Sequence, residues 1–434
     1  MKGWVTKTIG ELCDENGGSV QTGPSGSQLH ESDYSETGTP VVMPKDILDG
    51  TIDEQSVARV SDDHVFRLRR HKVISGDIVY GRRGDIGRQA LMRERHAGRL
   101  CGTGCLRIRL GEATLSPKFL HYYLRLGDVI RWIEGQAIGA TVPNLNTNIL
   151  RRLPVTFPID PLVQNAIAGI LSAYDELIRN NKHRTALLER IAEEIYREWF
   201  VRLRFPGHQS TKIAKGLPVG WEMLPLSQLV ELNPSERLDQ SEEYPFVGME
   251  DLSLTSMFFS PSQLRRGGQG AKVRNRDVLF PRITPSVENG KRAFVMTLKD
   301  GEVGFGSTEF IVMREKVLRA EHLYFLTCSS ELRKHAELSM TGASGRQRVQ
   351  EECFSFFLVK TPPPELRAQL SLTIGPHFDQ IRTLAFQTQI LTKVRDLLLP
   401  RLMSGKLSVE NLDIHFPPGM AEEIDAKPVG TAHA

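Results

Sequence analysis

The second half of this chain retraces the first, and that duplication limits the possible folds more than any other feature. With small gaps, Gly3, Trp4, Ile9 and Leu12 answer to Gly220, Trp221, Leu226 and Leu229. Pro40, Val42, Asp46 and Ile47 answer to Pro245, Val247, Asp251 and Leu252. Asp77, Ile78, Val79, Tyr80 and Arg82 match Asp277, Val278, Leu279, Phe280 and Arg282. Further on, Tyr122, Tyr123 and Leu124 match Tyr324, Phe325 and Leu326, and Gly139, Ala140 and Thr141 match Gly342, Ala343 and Ser344. Val155 and Pro158 close the series against Val359 and Pro362. The constant order and near-constant offset define one unit of about two hundred residues that occurs twice.

Each copy opens with short apolar runs between Gly, Pro and Asp turns, which predicts a mostly β domain carrying a few helices. Each copy closes with a long helical stretch. In the first, Ile167, Ile170, Tyr174, Leu177, Asn181, Leu188, Ile191 and Ile195 recur at spacings of three, four or seven, a heptad seam. In the second, Ile374, Phe378, Ile381, Ala385, Leu391, Val394 and Leu398 do the same, ending before Pro400. The expected fold is α+β: two mostly β domains separated by two long helices that pair as an antiparallel coiled coil, with a pseudo-twofold internal repeat. The expected helix contacts are Ile170, Tyr174, Leu177, Leu188, Ile191, Ile195, Ile381, Leu391, Val394 and Leu398. Asn181 either fixes the register of the seam or sits hydrated at a helix break around 180–182. The expected boundaries are 1–158 and 219–362 for the β domains, 159–204 and 363–407 for the helices, 205–218 for a linker, and 408–434 for a disordered tail.

The net charge of +3 hides two basic patches. Residues 66–109 hold twelve Lys or Arg against three acids, and residues 265–292 hold eight against two. Such patches are expected where side chains neutralise phosphates, although a solvated basic face gives the same count. No run of about twenty apolar residues or apolar leader is present, and five scattered cysteines suit a reducing compartment, so the expected location is the cytoplasm.

Catalytic motifs fail one by one. Gly304 and Gly306 lead into a strand pattern at Phe310, Val312 and Met313 instead of a helix, so they are read as a plain turn and not as a cofactor loop. Asn233, Pro234, Ser235 and Glu236 lack the second proline and the aromatic on which a flipped adenine stacks. Asp277, Glu288 and Lys291 have the composition of a nuclease metal site, but the matching region of the first copy supplies Arg83 and Arg88 instead. Cys101 and Cys105 have no second ligand pair in register. The stretch from Gly81 to Gly87 lacks the lysine and hydroxyl of a phosphate loop.

Several motifs together resemble the specificity subunits of type I restriction–modification systems. They are Gly76-Asp77-Ile78-Val79 leading to Arg82, Arg83, Gly84 and Gly87, then Gly139-Ala140-Thr141-Val142-Pro143-Asn144-Leu145-Asn146, then Leu153-Pro154-Val155 through Pro158. The ending Val394-Arg395-Asp396-Leu397-Leu398-Leu399-Pro400-Arg401-Leu402-Met403-Ser404-Gly405-Lys406-Leu407 is similar to that family's. The second copy departs from the pattern, with Gly345, Arg346, Gln347 and Arg348 in place of Val142 to Leu145. The resemblance implies two target-recognition domains, each reading half of an asymmetric, interrupted sequence in double-stranded DNA, with the helices as a ruler. It implies no catalysis and no cofactor in this chain. Two modification subunits would bring S-adenosylmethionine and methylate adenine; restriction subunits would bring ATP, Mg and cleavage, as in defence against phage.

Within that frame, Arg82, Arg83, Arg88, Arg282, Lys291, Arg292, Arg346 and Arg348 are the expected DNA contacts, more of them to phosphate than to bases. Asn144 and Asn146 either pair with adenine or shape a Pro-Asn turn. Two other classes of function remain at this point: a free-standing nuclease or methyltransferase, and a two-domain DNA-binding regulator.

Overall fold

The computed structural model describes residues 3–48, 50–54, 57–82, 87–136, 145–261, 263–299, 301–343 and 345–409. It divides into two compact units, unit 1 from Met1–Glu176 and Leu391–Ala434, and unit 2 from Leu177–Ile390.

In unit 1, Ile78–Gly81 is buried along its whole length, as expected of an apolar, β-branched run at the centre of a covered sheet. It lies in a four-stranded sheet of order Ser19–Thr22, Cys105–Arg109, Ile78–Gly81, Gln89–Leu91. A second sheet runs Leu100–Cys101, Thr39–Val42, Arg59–Val60, Tyr34–Ser35. Trp4–Thr8 pairs antiparallel with Pro154–Pro158, so the start of the unit is fastened to the strand that precedes the first long helix.

Unit 2 repeats the plan. Val278–Pro281 is again wholly buried, in the order Val230–Leu232, Phe310–Glu315, Val278–Pro281, Ala293–Phe294. The second sheet runs Gln263–Arg266, Glu243–Val247, Gly304–Gly306, Ala271–Val273, and Glu222–Pro225 pairs with Leu358–Thr361. Gly304–Gly306, read from the sequence as a turn, is therefore a buried strand. Glycine suits it because a Cβ at Gly306 would stand 2.9 Å from the Val247 carbonyl of the parallel neighbour. Segment 205–218 contains the hairpin of Ile213–Ala214 with Leu217–Pro218, and Phe205 is buried against Trp221.

The long helices span Pro161–Tyr196 and Pro364–Met403. The first runs unbroken through Asn181, which is buried. The second continues past Pro376 and Pro400 instead of stopping before the latter. In unit 1, Ile167, Ala168 and Leu171 share a core with Leu399, Leu402 and Met403. In unit 2, Ala192 and Tyr196 share one with Leu370, Ile374, Phe378 and Ile381. The start of one helix thus lies beside the end of the other, and the pair is antiparallel.

The expected seam needs a correction. Leu177 and Ile191 are 50% and 48% exposed, while their neighbours Ile178 and Ala192 are buried. The seam runs through 167, 171, 174, 178, 181, 185, 188, 192 and 195, which alternates steps of four and three throughout. Leu177 and Ile178 are both apolar, so periodicity alone admits either, and packing selects the second. Tyr174, Leu188, Ile195, Leu391, Val394, Leu398 and Ile170 are half-buried, and Ile381 is fully buried.

Asp175 of the first helix gathers one end of unit 1. Its carboxylate accepts from Tyr122 Oη at 2.9 Å, Arg125 Nη1 at 2.7 Å and Arg395 Nη1 at 2.6 Å. Burial alone would raise its pKa, but the two guanidiniums outweigh burial and hold it below the ordinary carboxylate range. No helix among the described residues is long and apolar enough to cross a membrane.

Candidate nucleic-acid interface

The arginines of the basic patches differ in how firmly the protein itself holds them. Arg82 follows the central strand Ile78–Gly81; its Nε donates to the Leu145 carbonyl at 2.9 Å, and Leu145 N donates back to the Arg82 carbonyl at 3.0 Å. Arg282 does the same in unit 2: Nη2 meets the Val349 carbonyl at 3.0 Å, Val349 N meets the Arg282 carbonyl at 2.8 Å, and Nη1 pairs with Glu351 at 3.3 Å. Both clamp a loop to the sheet. They also correct the alignment of the repeat, since Val349, and not Arg348, stands where Leu145 stands.

Lys291 Nζ donates to the Met249 carbonyl at 3.0 Å. Arg292 donates to the Gly290 carbonyl at 2.9 Å and lies over the Tyr324 ring, 5.8 Å from its centroid. Arg348 is held by the Glu309 carboxylate at 2.6 Å. Arg88 is exposed, and its carbonyl accepts from Gly81 N at 2.8 Å. Arg346 is exposed and makes no side-chain bond to the described residues. Arg83 and Asn144 lie outside the described residues. Asn146 caps the short helix Thr147–Arg151 by accepting from Ile149 N at 2.9 Å, the turn-shaping role.

Several basic residues that sequence reasoning passed over are exposed. They include Arg67, Arg69 and Arg70 in unit 1 and Arg265 and Arg266 in unit 2. Their place in the charge runs was the available signal.

The residues weighed as catalytic candidates have structural partners. Asp277 is clasped by Arg314 and accepts from Arg274 N at 2.7 Å, a structural post of the sheet. Asn233 fixes the neighbouring strand by accepting from Val312 N at 2.9 Å. Burial pushes the Cys101 thiol up to about 12, and Cys105 is buried beside it. Among the described residues, no three His, Cys, Asp or Glu stand where they could hold a metal ion.

Comparison with known proteins agrees with this picture. A family profile described as "Type I restriction modification DNA specificity domain" matches residues 1–190. The specificity subunit of the type I restriction enzyme MjaIX from Methanocaldococcus jannaschii is 24% identical, across 95% of each chain. That of EcoEI from Escherichia coli is 28% identical over 48% of this chain and 36% of its own. The crystal structure of a type I restriction–modification S subunit from M. genitalium shares the fold, with a TM-score of 0.58 at 16% identity over 92% of this chain and 96% of that one. Two basic β domains, each joined to a pair of long helices, are thus similar to the specificity subunits of type I restriction–modification systems, and residues 1–190 match the DNA specificity domain of that family.

Proposed function

We propose that each unit reads one half of a bipartite, asymmetric DNA target, and that the long helices set the gap between the halves and dock two modification subunits. Those subunits carry S-adenosylmethionine and methylate an adenine in each half; restriction subunits add ATP- and Mg-dependent cleavage. The complex works in the cytoplasm. The observation that carries this reading is one framework built twice and decorated differently. Asp77–Arg109 and Asp277–Arg314 occupy equivalent positions in the corresponding sheets of the two units, whereas the segments leading into Ile78–Gly81 and Val278–Pro281 share neither length nor structure. A duplicated scaffold with unequal surfaces is suited to unequal half-sites.

Exchange of residues 3–150 for the matching segment of a relative tests it. Sequencing of methylated adenines should show one half of the motif replaced and the other kept. A motif that changes in both halves, or in neither, contradicts the assignment. Methyl transfer or cleavage by the purified chain alone would favour the free-standing enzyme. Failure to co-purify with a methyltransferase would favour the regulator.

A further inference from the structure

The two units can be matched strand by strand around one point where they differ most. Arg59–Val60 lies antiparallel to Thr39–Val42, as Gln263–Arg266 does to Glu243–Val247. Lys72 bridges Leu100 as Lys272 pairs with Phe305. Between these matched points unit 2 needs only a turn containing Gly267, Gly268 and Gly270. Unit 1 instead carries the helix Asp62–Arg67 and the 3-10 turn Arg69–His71. The framework closes without those residues, so they are an addition.

The addition is anchored on one side and bare on the other. Val65 and Leu68 are buried with Leu29, Val41, Val60 and Leu100. Asp62 and Asp63 lie in the first turn, where negative charge suits the helix dipole. Phe66 is 71% exposed, and Arg67, Arg69 and Arg70, its neighbours in sequence, are exposed as well. The Arg69 guanidinium lies 5.0 Å from the Phe66 ring centroid. Arg67 donates to the Gln28 carbonyl at 3.1 Å and faces Asp33 at 3.6 Å; Arg70 donates to His71 at 3.0 Å. Each guanidinium has five donors, so these bonds steady it and leave others for a ligand.

A lone exposed Phe needs no explanation. One stacked on by Arg69 and flanked in sequence by exposed Arg67 and Arg70, on an element the scaffold does not require, matches a nucleic-acid surface: arginines for phosphates, an apolar side chain for base edges or a base step. We propose that this added helix is where unit 1 touches bases, with Phe66 making the apolar base contact and Arg67, Arg69 and Arg70 holding the flanking DNA. The proposal rests on unit 1 being a half-site reader.

The test uses the full chain assembled with its modification subunits. The probe is a duplex carrying the motif found by sequencing methylated sites, with a scrambled duplex beside it. Phe66→Ala should bind the motif duplex about tenfold or more weakly. It should bind the scrambled duplex as wild type does, with the salt slope and unfolding midpoint unchanged. Arg67→Ala with Arg70→Ala should weaken both duplexes and lower the salt slope by about one to two. Wild-type affinity and an unaltered methylation motif for Phe66→Ala overturn the proposal. If exchange of 3–150 still replaces one half-site, the half-site reading survives that failure; if it does not, the reading itself has failed. Loss of the modification subunits from Phe66→Ala preparations would also overturn it, by making the helix a protein-docking surface.

Discussion

Arg314 lies along the Asp277 carboxylate, donating from Nε to Oδ1 and from Nη2 to Oδ2 at 2.8 Å each, and Arg109 meets Asp77 through the same atoms at 2.7 and 2.6 Å. Both carboxylates are buried and also receive a backbone N–H three residues upstream, from Arg274 and Ile74. Each ion pair ties two neighbouring strands of the central sheet at its rim. Asp277 and Glu236 hold the Arg314 guanidinium firmly charged.

The first prediction follows from that burial. Arg314→Met strands the Asp277 carboxylate without its partner and should destabilise unit 2 by about 3–5 kcal/mol. Adding Asp277→Asn to the same chain should return part of that loss, since an amide costs less to bury than an unpaired charge. Denaturant unfolding monitored by a probe in unit 2 reads both. A single variant with the wild-type midpoint would show that the pair does not hold the sheet together.

A second prediction separates the clamp from the free cation. Arg282→Ala removes the bond to the Val349 carbonyl and leaves that acceptor unsatisfied, so it should cost about 1–3 kcal/mol of stability. The slope of log binding constant against log salt should stay at the wild-type value. Arg346→Ala should do the reverse, leaving stability alone and lowering that slope by about one if the residue meets a phosphate. Matched stability and salt titrations of the two variants would expose an exchange of roles.

These arginines also show where the sequence could be read and where it could not. Asp77 and Asp277 align because a buried ion pair tolerates little change at either end, so the duplication was visible in residue types. The clamp was hidden because the partner of Arg82 is a backbone carbonyl at Leu145, and a carbonyl has no residue signature. The hold of Arg82 and Arg282 on a neighbouring loop was therefore not legible in residue types. Leu177 and Ile178 pose the same difficulty in the helix: both are apolar, and only the facing surface decides which is buried. The exposed Phe66 was legible in composition as part of a charged run, but its exposure depends on Val65 and Leu68 taking the inward positions.

A third prediction concerns pH. Burial pushes the Glu189 carboxyl up to about 7, although it accepts from Met257 N at 3.0 Å and Ser256 Oγ at 3.1 Å. The folded state therefore binds this proton more tightly than the unfolded chain does. Glu189 favours the fold most at low pH; that contribution declines from near pH 4.5 and is lost as pH rises through about 7. Glu189→Gln can accept the same two bonds without a charge, so it should raise the unfolding midpoint at pH 8 and change it little at pH 5. A gain on the order of 1 kcal/mol at pH 8 is expected. Equal shifts at both pH values would mean that the carboxyl is not titrating across this range.

The last prediction concerns the helices as a ruler. They are 36 and 40 residues long, which at roughly 1.5 Å per residue is about 54 and 60 Å. Asp175 meets Arg395, so in an antiparallel pair the residues eight places further in, His183 and Gln387, stand at matched heights. Both are exposed and polar. Inserting one heptad after each returns the stripe nearly to its former face and continues the steps of four and three through Ile178, Asn181 and Leu188. The pair lengthens by roughly 10 Å, equivalent to about three base pairs at 3.4 Å per step. Sequencing of methylated sites should then show both half-sites unchanged and the gap between them longer. An insertion of two residues turns the stripe by about 200° and should prevent assembly instead of retuning it. An active heptad variant that methylates the original motif would mean that something other than these helices sets the gap.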